Sequence, residues 1–131
     1  MHIDSVLANA ALAAVCPLFN SATIQVYAGP ARAVGPSYLP SSSDTLLATF
    51  TFSNPAFGPP ASASVTANSI TTAIAVASGT ARWARIAGAT CSAAVDVSAI
   101  GGGGELQLYS TAVVKGGSIP IALLTMSIAT T

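Results

Sequence analysis

The chain has 131 residues, 52% of them hydrophobic and only 6% charged, with four acids against four bases. A soluble globular domain carries about 25% charged residues, so a surface this neutral has little repulsion to hold copies apart, while the hydrophobic content excludes a disordered chain. Mean hydropathy is +0.68, yet no uninterrupted run reaches the roughly 18–20 apolar residues that span a bilayer.

The longest apolar stretch, Val6 to Phe19, contains Asn9 and is interrupted by Pro17. A transmembrane barrel calls for longer strands with aromatic girdles, and the chain holds eight aromatic residues in all (one Trp, three Tyr, four Phe). No membrane partner is expected. Burial of much of the surface against other subunits is the reading that remains. The length suits one domain, residues 1–131.

Residues 4 to 16 are expected to form the one helix. Asp4 or Ser5 can cap its free amides, Ile3, Leu7, Ala11, Ala14 and Leu18 recur at helical spacing, and Pro17 ends it. With almost no charge, this helix is expected to lie flat on a sheet or on a neighbouring subunit. A signal peptide is disfavoured, because the opening Met1-His2-Ile3-Asp4 has an acid and no base where a basic n-region belongs.

From residue 21 to 130 the pattern is that of a β-sandwich. Ala22, Ile24, Val26 and Ala28 alternate with Thr23, Gln25 and Tyr27, then a long loop runs from Gly29 to Thr45. The organising stretch follows, Leu46 to Pro60. Leu46, Ala48, Phe50 and Phe52 alternate with Leu47, Thr49, Thr51 and Ser53, the period-two signal of a half-buried strand. Asn54-Pro55, Gly58 and Pro59-Pro60 then break it, since proline removes ladder donors.

Further strands are expected around Ala63–Ala67, at Ile74 and Val76, over Thr80–Ala87, over Cys91–Ser98, at Leu106–Leu108 and over Ile119–Ile128. The pair on either side of Ala87-Gly88-Ala89-Thr90 reads as a hairpin, and the last strand as covered on both faces. Seven to nine short strands joined by long corners favour a jelly-roll or Greek-key sandwich over up-and-down hairpins.

Candidate chemistry is sparse. The one histidine is His2, at a terminus. The acids Asp4, Asp44, Asp96 and Glu105 are scattered, whereas acid–base catalysis needs a positioned histidine or carboxylate pair. Cys16 and Cys91 form neither a zinc cluster nor a disulfide framework and read as small buried apolar residues, with their pairing left open. Gly101–Gly104 leads into a strand with no lysine close behind, so it is a corner and not a phosphate loop. Arg32, Arg82, Arg85 and Lys115 make no basic face for nucleic acid. No catalytic residue, cofactor or metal is expected. Trp83, between Arg82 and Arg85, is read as packing inward; the alternative is an arginine stacked on its indole at an interface.

Four segments carry a resemblance: LLATFTFSNPAFG, VTANSITTA, SGTARWARI and ELQLYSTAVVKGGSIPIALLTMSI. In this order, across residues 46 to 128, they resemble small virion proteins of tailed phages and prophages, above all the cement (decoration) proteins of short-tailed phages. The resemblance implies a jelly-roll sandwich, dimeric or higher, made in the host cytoplasm and bound to major capsid protein on the capsid exterior, with no enzymatic activity. The turn after ARI departs from the family's polar pattern, being Ala87-Gly88-Ala89-Thr90.

The contact residues expected are Leu7, Ala11 and Leu18 on the helix and Tyr38 and Phe57 in loops, all apolar or aromatic and outside the strands. Each could instead cover the domain's own core. A tail-associated or receptor-binding module is the second reading, and a secreted β-sandwich or small hydrolase the third.

Overall fold

The alternation of the organising stretch holds, with one exception that resets its face. The computed structural model describes residues 3–29 and 43–128. Strand β2 (Thr45–Thr51) pairs antiparallel with β1 (Thr23–Ala28), from Thr23↔Thr51 to Val26↔Ala48, and then the register slips so that Tyr27 faces Leu46. Leu47 is the extra residue of this bulge. A bulge places two residues opposite one and turns the strand. Ala48, Phe50 and Phe52 are buried as their period requires, but Leu47 is buried too, and Leu46 only partly.

On its other side β1 pairs with β6 (Trp83–Ala87), and β6 with β7 (Ser92–Ala99), closing on Ala87↔Ser92 as the expected hairpin. β7 runs parallel to β8 (Leu106–Leu108); β8 is antiparallel to β11 (Ile121–Ser127), and β11 to β3 (Ser64–Thr66). The order in this mixed seven-stranded sheet is β2-β1-β6-β7-β8-β11-β3. Two small sheets lie beside it: β4 (Ala73–Ile74) with β10 (Ser118–Ile119), and β5 (Gly79–Thr80) with β9 (Ala112–Val113).

The chain is an all-β sandwich, 44% strand among the described residues, with one short N-terminal helix. Its core joins Ile24, Val26, Phe50, Leu106 and Leu124 of the large sheet to Val113 and Ile119 of the small ones and to Ala75, just after β4. The strand expected at Ile74 is β4, but the residue buried beside it is Ala75, with Ile74 and Val76 exposed. One expectation fails. β11 is not covered on both faces: Leu124 is buried but Leu123 is exposed.

Helix α1 spans Ser5–Val15, with the Asp4 carboxylate accepting from the Leu7 N–H at 2.9 Å. Pro17 does end it, inside a 3₁₀ turn, Cys16–Phe19. The residues packed inward are Ala8, Leu12, Cys16 and Phe19, one position along from the expected Leu7-Ala11 row. Both rows are apolar, so the helix has no polar face to select between them; Phe19 decides it by anchoring the turn in the core.

Asn9, the one polar side chain inside the helix, is spent on a tertiary bond. Its Oδ1 accepts from the Ala63 N–H at 2.9 Å, at an alanine held at φ +60°. Removing the acceptor leaves a partly buried donor unsatisfied. Asn9→Ala is expected to cost about 1–3 kcal/mol by urea denaturation, while Ala10→Ser on the exposed face stays within about 0.5 kcal/mol.

Candidate assembly surface

A helix needs an apolar stripe only where it meets its own domain. α1 meets its domain through Ala8 and Leu12, and its opposite side is Val6, Leu7, Ala10, Ala13 and Ala14 with no polar residue among them. Val6 is 75% exposed, Leu7 53% and Leu18, in the turn that follows, 48%. Single exposed leucines are ordinary; here three large apolar residues are exposed together on one helix and the turn after it. A second scatter of exposed apolar residues, Ile74, Val76, Tyr109 and Val114, lies on and beside the small sheets.

The expected contact residues divide. Leu7 and Leu18 face outward and Ala11 is half-buried at the edge of the same face. Phe57 is corrected: it is 7% exposed and belongs to the core, its ring 5.2 Å from Phe52 and 6.2 Å from Phe19. The corner it sits in is tied back by the Phe57↔Ala67 bridge, and so carries the ring inward. Tyr38 lies outside the described residues. Val6, missed at the sequence level, is the most exposed of the large apolar residues; it sits beside Leu7 on the face opposite Leu12, where a helical wheel centred on Leu12 would have placed it.

Trp83 is fully buried, as expected, but not in the main core. Ala84 and Ile86 point into the principal cluster, and Trp83 packs on the other side of β6. Tyr27, its cross-strand partner, stacks on it at 4.8 Å and 19°, and the indole N–H donates to Asp44 at 3.0 Å. One face of the indole is therefore covered by a tyrosine. Asp44 also lies against the backbone of Gly29, the residue after β1. A Cβ at Gly29 would overlap its carboxylate, so that position admits only glycine without a shift.

Three of the four described acids accept from backbone or ring donors: Asp4 at the helix start, Asp44 from Trp83, Glu105 from the Asp96 N–H at 3.1 Å. Among the described residues no three of His, Cys, Asp or Glu gather as metal ligands, and no helix is long and apolar enough to cross a membrane. Cys16 and Cys91 are both free thiols. Cys16 is buried, which pushes its thiol upward from the usual range; the Cys91 thiol lies 3.8 Å from the Leu18 carbonyl.

No family model, curated protein or solved structure matches this chain.

The Tyr27 hydroxyl is pushed above its ordinary range by burial; the nearby Arg85 pulls it back and Asp44 pushes it up. The folded chain thus holds Tyr27 neutral to a higher pH than the unfolded chain does. That contribution is intact below the ordinary tyrosine value of about 10 and is lost as pH climbs from there through the folded value. Urea midpoints measured from pH 8 to 11 are expected to fall above about pH 10, and to fall less in Tyr27→Phe.

Proposed function

We propose that this chain is a non-enzymatic structural virion protein that binds the outside of a phage capsid and cements it, with the outer face of α1 against major capsid protein. The observation that carries this reading is the unpartnered apolar face formed by Val6, Leu7, Ala10, Ala13, Ala14 and Leu18 on a chain with only 6% charged residues. The assignment of a capsid as the partner comes from the resemblance of the four segments between residues 46 and 128.

A cement subunit works by burying apolar surface on the shell. Each buried apolar area contributes about 25 cal/mol per Å² gross, before the cost of association. Burying a leucine supports roughly 1.5–3 kcal/mol, so a few such residues repeated at every lattice position make a large cooperative total. With so few charges, the contact is expected to be nearly indifferent to salt.

Quantitative mass spectrometry of purified virions is expected to find the chain near-stoichiometric with major capsid protein. A handful of copies per particle would move it to the tail, and absence from virions would overturn the reading. Leu7→Lys with Leu18→Lys is expected to weaken binding to shells that lack the protein by about tenfold or more. Both positions are exposed, so circular dichroism and the urea midpoint should stay close to the parent's. Retained binding by that double variant, or affinity that falls steeply between low and moderate salt, would exclude the helix face as the contact.

A further inference from the structure

The large sheet forks between β7 and β11. β8 is short: it pairs with Val97–Ala99 on one side and with Ile121–Leu124 on the other. Beyond its start, Ser92–Asp96 of β7 have only β6 as a neighbour, and Thr125–Ser127 of β11 have only β3. Glu105 stands at the branch point. Its carbonyl accepts from the Thr125 N–H at 2.9 Å, and its carboxylate accepts from the Asp96 N–H at 3.1 Å. The opening holds a cavity of about 230 Å³, with Val95 and Met126 on its two walls and the buried Phe19, Phe57 and Ile86 among its lining.

The backbone facing this opening follows from ladder alternation, since successive residues of a strand aim their N–H and C=O at opposite neighbours. The Val97 N–H reaches across to the Arg82 carbonyl, so the Ala94 N–H and C=O point into the fork. On the facing strand the Leu124 carbonyl and the Ile128 N–H are bonded on the β3 side, to Ala67 and Ala63, so the Ser127 N–H and C=O also point into the fork. Among the described residues none of these four groups has a partner. Open strand edges are normally blunted by lysine, proline or a covering loop. Residues 92–96 and 124–128 contain neither lysine nor proline.

We propose that the fork is a strand-acceptor slot, in which an extended segment of a partner protein adds between β7 and β11 in line with β8. Two facing rows of unsatisfied donors and acceptors suit one inserted strand, because strands lie about 4.8 Å apart; a helix has no free backbone groups to offer along its length. The charge picks the side chains. Glu105 is the one ionisable residue lining an otherwise neutral and largely apolar opening, so the segment carries a lysine or arginine at Glu105. It carries a small or β-branched apolar residue two positions later, on the same face, over Phe19, Phe57 and Ile86. Main-chain bonds supply the affinity in such strand addition and the alternate side chains supply the specificity. The slot is separate from the helix face and does not depend on the capsid reading.

The test uses the full chain, isotopically labelled for amide exchange, and two capped heptapeptides: Ser-Lys-Thr-Val-Thr-Val-Ser and its twin with glutamate in place of lysine. The lysine peptide is expected to bind saturably and to slow exchange at Ala94 and Ser127 by about tenfold or more. The glutamate twin should bind at least about fivefold more weakly. Glu105→Gln, which keeps an acceptor for the Asp96 N–H, should remove that difference. Absence of saturable binding by either peptide at millimolar concentration, or binding that leaves these two amides unchanged, would overturn the slot. Equal affinity for the two peptides would overturn the role of Glu105. Protection of the same amides that rises with protein concentration alone would make the occupant a second copy and overturn the partner.

Discussion

Three phenylalanines hold the two ends of this chain's logic together. Phe19 leaves the 3₁₀ turn, Phe52 ends the organising strand and Phe57 comes from the corner after it, with ring centroids 5.2–6.2 Å apart. Tilted and edge-to-face contacts at this range add about 0.5–1.5 kcal/mol per pair beyond the area buried. Asn20 reinforces the knot from the backbone, its Oδ1 accepting from the Ala56 N–H at 2.8 Å. The position of α1 depends on this cluster. A helix that is apolar all round cannot orient itself by amphipathicity, so the burial of Phe19 a turn later selects which row faces the sheet and, by exclusion, which row faces outward.

The same economy governs charge. In most domains the surface is where acids and bases go, and solvation keeps molecules apart. Here three of the four described acids are drawn into local structure: one caps the helix, one holds the Trp83 indole, and one straddles the fork in the sheet. The outer face of α1 carries no charged residue. Both the exposed face and the neutrality follow from the composition, and together they describe a protein whose surface is suited to being covered.

Much of this was legible in the sequence because it is local. Period-two alternation placed β1, β2, β6 and β7, proline and glycine placed the corners, and Asp4 and Pro17 bounded the helix. What failed to show depended on register or on long-range packing. The bulge at Leu47 changes which residues of β2 are buried, and no local signal distinguishes it from the regular alternation around it. Phe57 reads as a loop aromatic until the corner is known to turn back under Phe52. Trp83 alternates correctly and is buried as its type suggests, yet its face of the strand is the one with Tyr27 and Asp44, a pairing across 39 residues of sequence. The fork is the least legible of all. It exists because β8 is shorter than both its neighbours, which is a relation among three strands and not a property of any one.

The two surfaces meet at one turn. Within Cys16–Phe19, Leu18 points outward beside the apolar face of α1, and Phe19 points inward to line the fork. Both side chains ride on one short piece of backbone, restricted at Pro17. A strand seated on Phe19 would therefore brace the turn that presents Leu18, and a partner on the helix face would brace the floor of the slot. Rigidity shared in this way makes a second contact cheaper than the first, because part of the ordering cost has already been met.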